Sequence, residues 1–217
     1  MVREMIKVIG FDLDGTLADT IPISIKAMKK AASIITKKPI TDEQVYETFG
    51  MTEVGMMKAL VGSRYEEALE LFYHEYSKAL STQNLLFEGV LDMLQVLKAK
   101  GIPIVLITGR GEKSCRITLE VLNIDKCFEH IFTGNDKGNV KTEQMMEVIK
   151  YYKINADEMY YIGDAVSDIY ASREIGVQCL SVAWYEGYEY KNLIDINGAI
   201  INYSIEELMA RLIKDIG

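Results

Sequence analysis

An apolar run, Met5-Ile6-Lys7-Val8-Ile9-Gly10, leads directly into Phe11-Asp12-Leu13-Asp14-Gly15-Thr16-Leu17. A short β-branched run that ends in acidic residues and a glycine reads as a buried strand breaking into a loop. Residues two apart in an extended chain point to the same side, so Asp12 and Asp14 can face one site while Leu13 turns back into the protein. Gly15 lets the backbone bend sharply and a ligand approach closely. Two carboxylates converging at the carboxyl end of a strand make a hard oxygen site suited to Mg²⁺. Open α/β sheets bind their ligands at such strand ends.

Directly after this strand the pattern becomes helical, and no convincing strand occurs between Thr20 and Thr82. Ile21 to Ile35 carries apolar residues at helical spacing and is stopped by Lys37-Lys38-Pro39. Thr41 with Gln44, and Ser63 with Glu66, have capping-box spacing. Thr52 can cap a short helix that Gly62 ends. Beyond residue 83 short apolar runs alternate with amphipathic helices. Ile104–Ile107, His130–Phe132, Met159–Ile162 and Gln178–Ala183 read as strands, with Ala199–Ile201 a short last one. In the intervening helices Leu91, Leu94 and Leu97 point inward, and Met145, Met146, Ile149 and Tyr152 share a face. This alternation predicts an α/β fold with a doubly wound parallel sheet. Residues 1–18 and 83–217 form that core, and residues 19–82 form an inserted all-helical cap.

Three strand ends add chemistry. Ile107-Thr108-Gly109-Arg110 offers a hydroxyl and backbone N–H groups at a strand-to-helix turn, which suits phosphate oxygens as well as an ordinary turn. Lys141 stands at a helix start, where a cation opposes the macrodipole and needs a reason to be there. Neutralising a phosphoryl group is one. Ile162-Gly163-Asp164 delivers a carboxylate at the end of an apolar strand, with Asp168 four residues on. Simple N-capping does not account for the glycine and the spacing together.

In order, these four signals resemble the motifs of the haloacid dehalogenase-like hydrolase superfamily. The helical insert resembles the cap of its phosphoglycolate phosphatase-like branch, which includes beta-phosphoglucomutases. The resemblance implies a Rossmann-like core and a Mg²⁺-dependent phosphatase acting on a small phosphomonoester. Asp12 would be the nucleophile that forms an aspartyl-phosphate, and Asp14 the general acid and base. Asp12, the carbonyl of Asp14, and Asp164 would hold Mg²⁺, with Asp168 assisting through water. Thr108, Gly109 and Lys141 would hold the phosphoryl group. The lid supplies specificity in capped members, which makes Thr20, Met51, Thr52 and Arg110 candidates for substrate contact. Motions hinged near Ala18-Asp19 and Thr82 to Leu86 would gate access.

The sequence departs from the branch at Gly109-Arg110 in motif two and at Thr142, where motif three usually has Pro. A phosphosugar mutase of the beta-phosphoglucomutase type is the alternative, but such enzymes carry a His soon after motif one. The two histidines here are His74 and His130. A non-enzymatic receiver-like module that binds Mg²⁺ and carries phospho-Asp is the reading from another class. Its acceptor would lie on a middle strand, and it would have no helical insert.

Composition narrows the partners. The chain has 24 Lys plus Arg against 32 Asp plus Glu, a formal charge of -8, which argues against nucleic acid. A small phosphorylated metabolite is the expected partner. The three scattered cysteines, Cys115, Cys127 and Cys179, form neither a metal pair nor a disulfide framework. Together with the lack of a signal-like segment or membrane-length apolar run, they predict a cytoplasmic protein with no membrane partner. The expected state is a monomer or weak homodimer.

Overall fold

A computed structural model describes residues 5–135, 140–184 and 190–216. Six parallel strands form one sheet: β1 (Val8–Phe11), β2 (Ile104–Ile107), β3 (His130–Phe132), β4 (Met159–Gly163), β5 (Gln178–Val182) and β6 (Ile201–Asn202). Their order is β3-β2-β1-β4-β5-β6. The first strand therefore lies mid-sheet, and the winding reverses on either side of it. A crevice opens at such a reversal beyond the carboxyl ends of the strands. The register sets Phe11 opposite Leu106 on one side and Ile162 on the other. The ends of β1, β2 and β4 thus come level.

Each central strand is buried on both faces, which is why it reads as a continuous apolar run. Its side chains divide with period two. Ile9, Phe11, Ile104, Leu106, Tyr160 and Ile162 join one core, and Val8, Val105, Ile107, Met159 and Tyr161 join the other. The first core includes helices α5 (Val90–Ala99), α6 (Glu112–Leu122) and α10 (Ile205–Ile216). The second includes α7 (Lys141–Tyr152), α8 (Val166–Glu174) and α9 (Tyr190–Asn197).

Between β1 and α5 stand four helices and no strand: α1 (Ile21–Thr36), α2 (Asp42–Tyr46), α3 (Glu53–Val61) and α4 (Tyr65–Leu80). They pack around Met28, Ala31, Met57, Phe72 and Tyr76, all fully buried. The two chain segments that join this insert to the sheet pair with each other. Asp19 N–H donates to the Leu85 carbonyl at 2.8 Å, and Phe87 N–H to that of Leu17 at 3.2 Å. No helix among the described residues is long and apolar enough to cross a membrane.

Several expectations need correction. Leu91 and Met146 are exposed; the inward stripes are Val90, Met93, Leu94, Leu97 and Met145, Val148. Each exposed residue sits one position, about 100°, off the stripe facing the sheet. The Thr41–Gln44 capping box forms, but Ser63 and Glu66 do not cap α4. A short 3-10 turn, Gly62–Arg64, runs straight into α4 and leaves no non-helical capping residue at Ser63. Gly198–Ile200 is a 3-10 turn, so the last strand begins at Ile201.

Candidate active site

Asp12 follows β1 without a break, and its N–H donates to the Ile162 carbonyl of β4 at 2.8 Å. That hydrogen bond brings Asp12 beside Gly163-Asp164. Asp12 Oδ1 accepts from Leu13 N–H at 2.8 Å, and Oδ2 accepts from Lys141 Nζ at 2.7 Å. The same ammonium donates to Asp168 Oδ1 at 2.5 Å. A lysine at the start of α7 thus has its reason: two carboxylates outweigh the helix dipole. Burial works against its charge, but Asp12 and Asp168 hold its pKa well above the usual lysine value.

Two glycines make the close approach possible. Gly15 has φ +76°, and a Cβ there would run into the Asp164 carboxylate. A Cβ on Gly163 would collide with Asp168, which is fully buried beneath the strand end. Thr16 donates to Asp164 Oδ1 at 2.9 Å. The indole N–H of Trp184 donates to the Thr16 carbonyl at 3.2 Å and ties the loop down.

Carboxylate oxygens of Asp12, Asp164 and Asp168 lie within 4.8 Å of one another. Three acids with one ammonium among them, bound to Asp12 and Asp168, leave negative charge in excess. Burial first, then the neighbouring acids, push Asp12 up to about 7 against the pull of Lys141. Burial, then Asp12 and Asp168, raise Asp164 well above the usual carboxylate range. Hard oxygen donors with unmet negative charge fit a divalent cation such as Mg²⁺.

Asp14 has a different environment. Arg110 grips it with Nε at 2.9 and 2.8 Å from its two oxygens and Nη2 at 2.7 Å from Oδ1. The Thr20 hydroxyl also donates to Asp14. Behind this pair stands Glu53, the first residue of α3. Its carboxylate accepts from Gly111 N–H at 2.8 Å and from the Ser114 hydroxyl, and lies 3.5 Å from Arg110 Nη1. The Arg110 guanidinium rests over the Tyr76 ring of α4, 4.6 Å from its centroid. Burial alone would lower the pKa of Arg110; Asp14, then Tyr76 and Glu53, raise it instead.

A cavity of about 400 Å³ opens over this cluster. Asp12, Asp14, Thr108, Gly109, Lys141 and Asp164 form its floor, and Met51 and Arg110 also reach it. Thr20 and Thr52 sit elsewhere than expected, outside the wall: Thr20 serves Asp14, and Thr52 caps α3 by accepting from Gly55 N–H. Glu53 is the part the sequence reading missed. An acidic residue in a first helical turn is ordinary, so nothing local marks it. Thr16 was legible as part of the motif but had no role until Asp164 came beside it.

The haloacid dehalogenase-like hydrolase family model matches residues 9–182, a span that includes every floor residue just named. The chain belongs to the haloacid dehalogenase-like hydrolase family. Membership in that family makes it an enzyme of the hydrolase class. It is 30% identical over 237 aligned positions to the phosphoglycolate phosphatases of Shigella boydii and Escherichia coli K12. Each alignment covers 96% of this chain and 93% of the relative. These relatives put it in the phosphoglycolate phosphatase-like branch. Two solved structures share the fold. A haloacid dehalogenase-like family hydrolase from Streptococcus pneumoniae has TM-score 0.74 at 22% identity, covering 95% of this chain and 98% of that one. A family IA, variant 3 hydrolase from Entamoeba histolytica has TM-score 0.75 at 20% identity, covering 96% and 100%.

Proposed function

We propose that this hydrolase is a Mg²⁺-dependent phosphatase that cleaves small phosphomonoesters through an aspartyl-phosphate on Asp12. The observation that carries the reading is the convergence of Asp12, Asp164 and Asp168 on one another, with a buried ammonium, Lys141, donating to Asp12 and Asp168. Asp12 attacks phosphorus, and the P–O bond to the leaving alcohol breaks. Asp14 gives that oxygen a proton, then takes one from the water that hydrolyses the acyl phosphate. The two aspartates divide the work through their surroundings. Asp12 is buried beside Lys141, whereas Asp14 is partly exposed and paired with Arg110. Thr108, the Gly109 N–H and Lys141 orient and neutralise the transferring group, which is most of what phosphoryl transfer requires.

Carboxylates of Asp12 and Asp164 and the Asp14 carbonyl would hold Mg²⁺, with Asp168 behind them. When bound, the ion neutralises phosphoryl charge that would otherwise repel the attacking carboxylate. Residues 19–82 act as a lid on the paired connectors at Leu17–Asp19 and Leu85–Phe87, and exclude water during turnover. The test is phosphate release over a panel of phosphorylated metabolites that includes 2-phosphoglycolate. Turnover is expected with Mg²⁺, and only background with EDTA or in Asp12→Asn. Undiminished release in either condition would rule the mechanism out.

A further inference from the structure

The upper wall of the cavity comes from the helical insert, and it is apolar. Ile21, Ile25 and Met28 of α1, with Val45, Phe49 and Met56, face the space above the acidic floor. Ser24 is the neutral polar side chain among the described residues that α1–α3 contribute to that wall. The cations reaching the cavity among the described residues are Lys141 and Arg110. Both are already engaged by carboxylates, Lys141 by Asp12 and Asp168, and Arg110 by Asp14 and Glu53. Lys29 of α1 is tied to Asp42 at 2.5 Å, and with Lys26 it lines a second groove on the far side of Ile21 and Ile25 rather than the cavity itself. A second anionic group on a bound phosphomonoester would therefore face Asp14 and Glu53, with no uncommitted cation among the described residues to receive it. Burying an unpaired charge is far more costly than burying alkyl surface at the same place.

We propose that the substrate carries its phosphate on an uncharged, mainly apolar alcohol, not on a carboxylate-bearing one such as glycolate. This assignment rests on the phosphatase reading above and deepens it. The cavity accepts the alcohol against Met28, Phe49 and Met56, and Ser24 can serve one hydroxyl.

Linear alkyl phosphates test it, because primary alcohols leave with similar ease and differences report the pocket. Phosphate release with Mg²⁺ would be followed for ethyl, butyl and hexyl phosphate and for 2-phosphoglycolate. The expected kcat/KM rises about fourfold per added methylene. Release from 2-phosphoglycolate is expected to fall at least about tenfold below that from ethyl phosphate, since like charges face each other in a low-dielectric site. Ser24→Lys, which places a cation in the wall, should raise 2-phosphoglycolate turnover and lower that of hexyl phosphate. A flat alkyl series, or wild-type preference for 2-phosphoglycolate over ethyl phosphate, overturns the assignment and leaves the phosphatase reading standing. Release from none of the four esters also overturns the assignment, and the metabolite panel with its EDTA and Asp12→Asn controls then decides the phosphatase reading separately.

Discussion

Arg110 shows how one side chain changes the meaning of its neighbours. In the sequence it is a departure from the family's second motif and a candidate for substrate contact. In the structure it is buried between Asp14 and Glu53, and it stacks on Tyr76. It links Asp14 of the floor to the first turn of α3 in the insert. Removing it leaves two carboxylates facing one another in a buried site. Arg110→Met is expected to lower stability by about 3 kcal/mol, the scale for stripping one partner from a buried ion pair. Arg110→Met with Glu53→Met should recover part of that loss, because the stranded carboxylate goes with it. Urea unfolding of both variants checks this; equal midpoints for the single and double variants would show that Glu53 depends little on Arg110. Neither contact is legible from the sequence, as Glu53 and Arg110 are 57 residues apart and belong to unremarkable local patterns.

Helices and strands were legible to within a few residues wherever one periodicity dominated. The four core strands β1, β2, β4 and β5 are short, β-branched or aromatic runs between turns, and they form as such. Capping was less legible, because the same letters serve a cap only if the preceding backbone is extended. Thr41 has φ -88° and ψ 166° and caps α2. Ser63 has the same relation to Glu66, but the chain around it is already a 3-10 turn. Thr41→Ala should therefore cost about 1 kcal/mol, whereas Ser63→Ala should change stability by no more than about 0.5 kcal/mol. Denaturant melts of the two variants separate them, and equal losses would contradict the difference in cap geometry. The exposed Leu91 and Met146 teach a related lesson. Both are apolar and lie near a helical stripe, yet the stripe a sheet can cover is narrower than the one the sequence offers.

Taken whole, the molecule concentrates charge where its sheet reverses direction. Asp12 follows β1 and Asp164 follows β4, with Asp168 in the first turn of α8 and Lys141 at the start of α7, so folding itself forces three acids and a lysine together. A cation that binds this assembled cluster binds the native state alone. At a free Mg²⁺ concentration one hundred times its Kd, unfolding should therefore cost about 2.7 kcal/mol more. Asp164→Asn should lose most of that gain, and chemical denaturation with and without Mg²⁺ reads both. Equal stabilisation of wild type and variant would place the ion elsewhere. By itself the sequence determined the α/β class, the strandless insert and the identity of the acids at the strand ends. Those follow from local periodicity and from the residue types a metal and a phosphate require. Only the tertiary structure decided that Arg110 clamps Asp14 under Glu53, that Thr20 serves the floor and leaves the cavity wall, and that the wall is apolar. These are contacts between distant segments, set by how the insert packs on the sheet. The Phe11–Leu17 motif sets two acids at the end of β1, but the surface that faces them across the cavity comes from α1–α3.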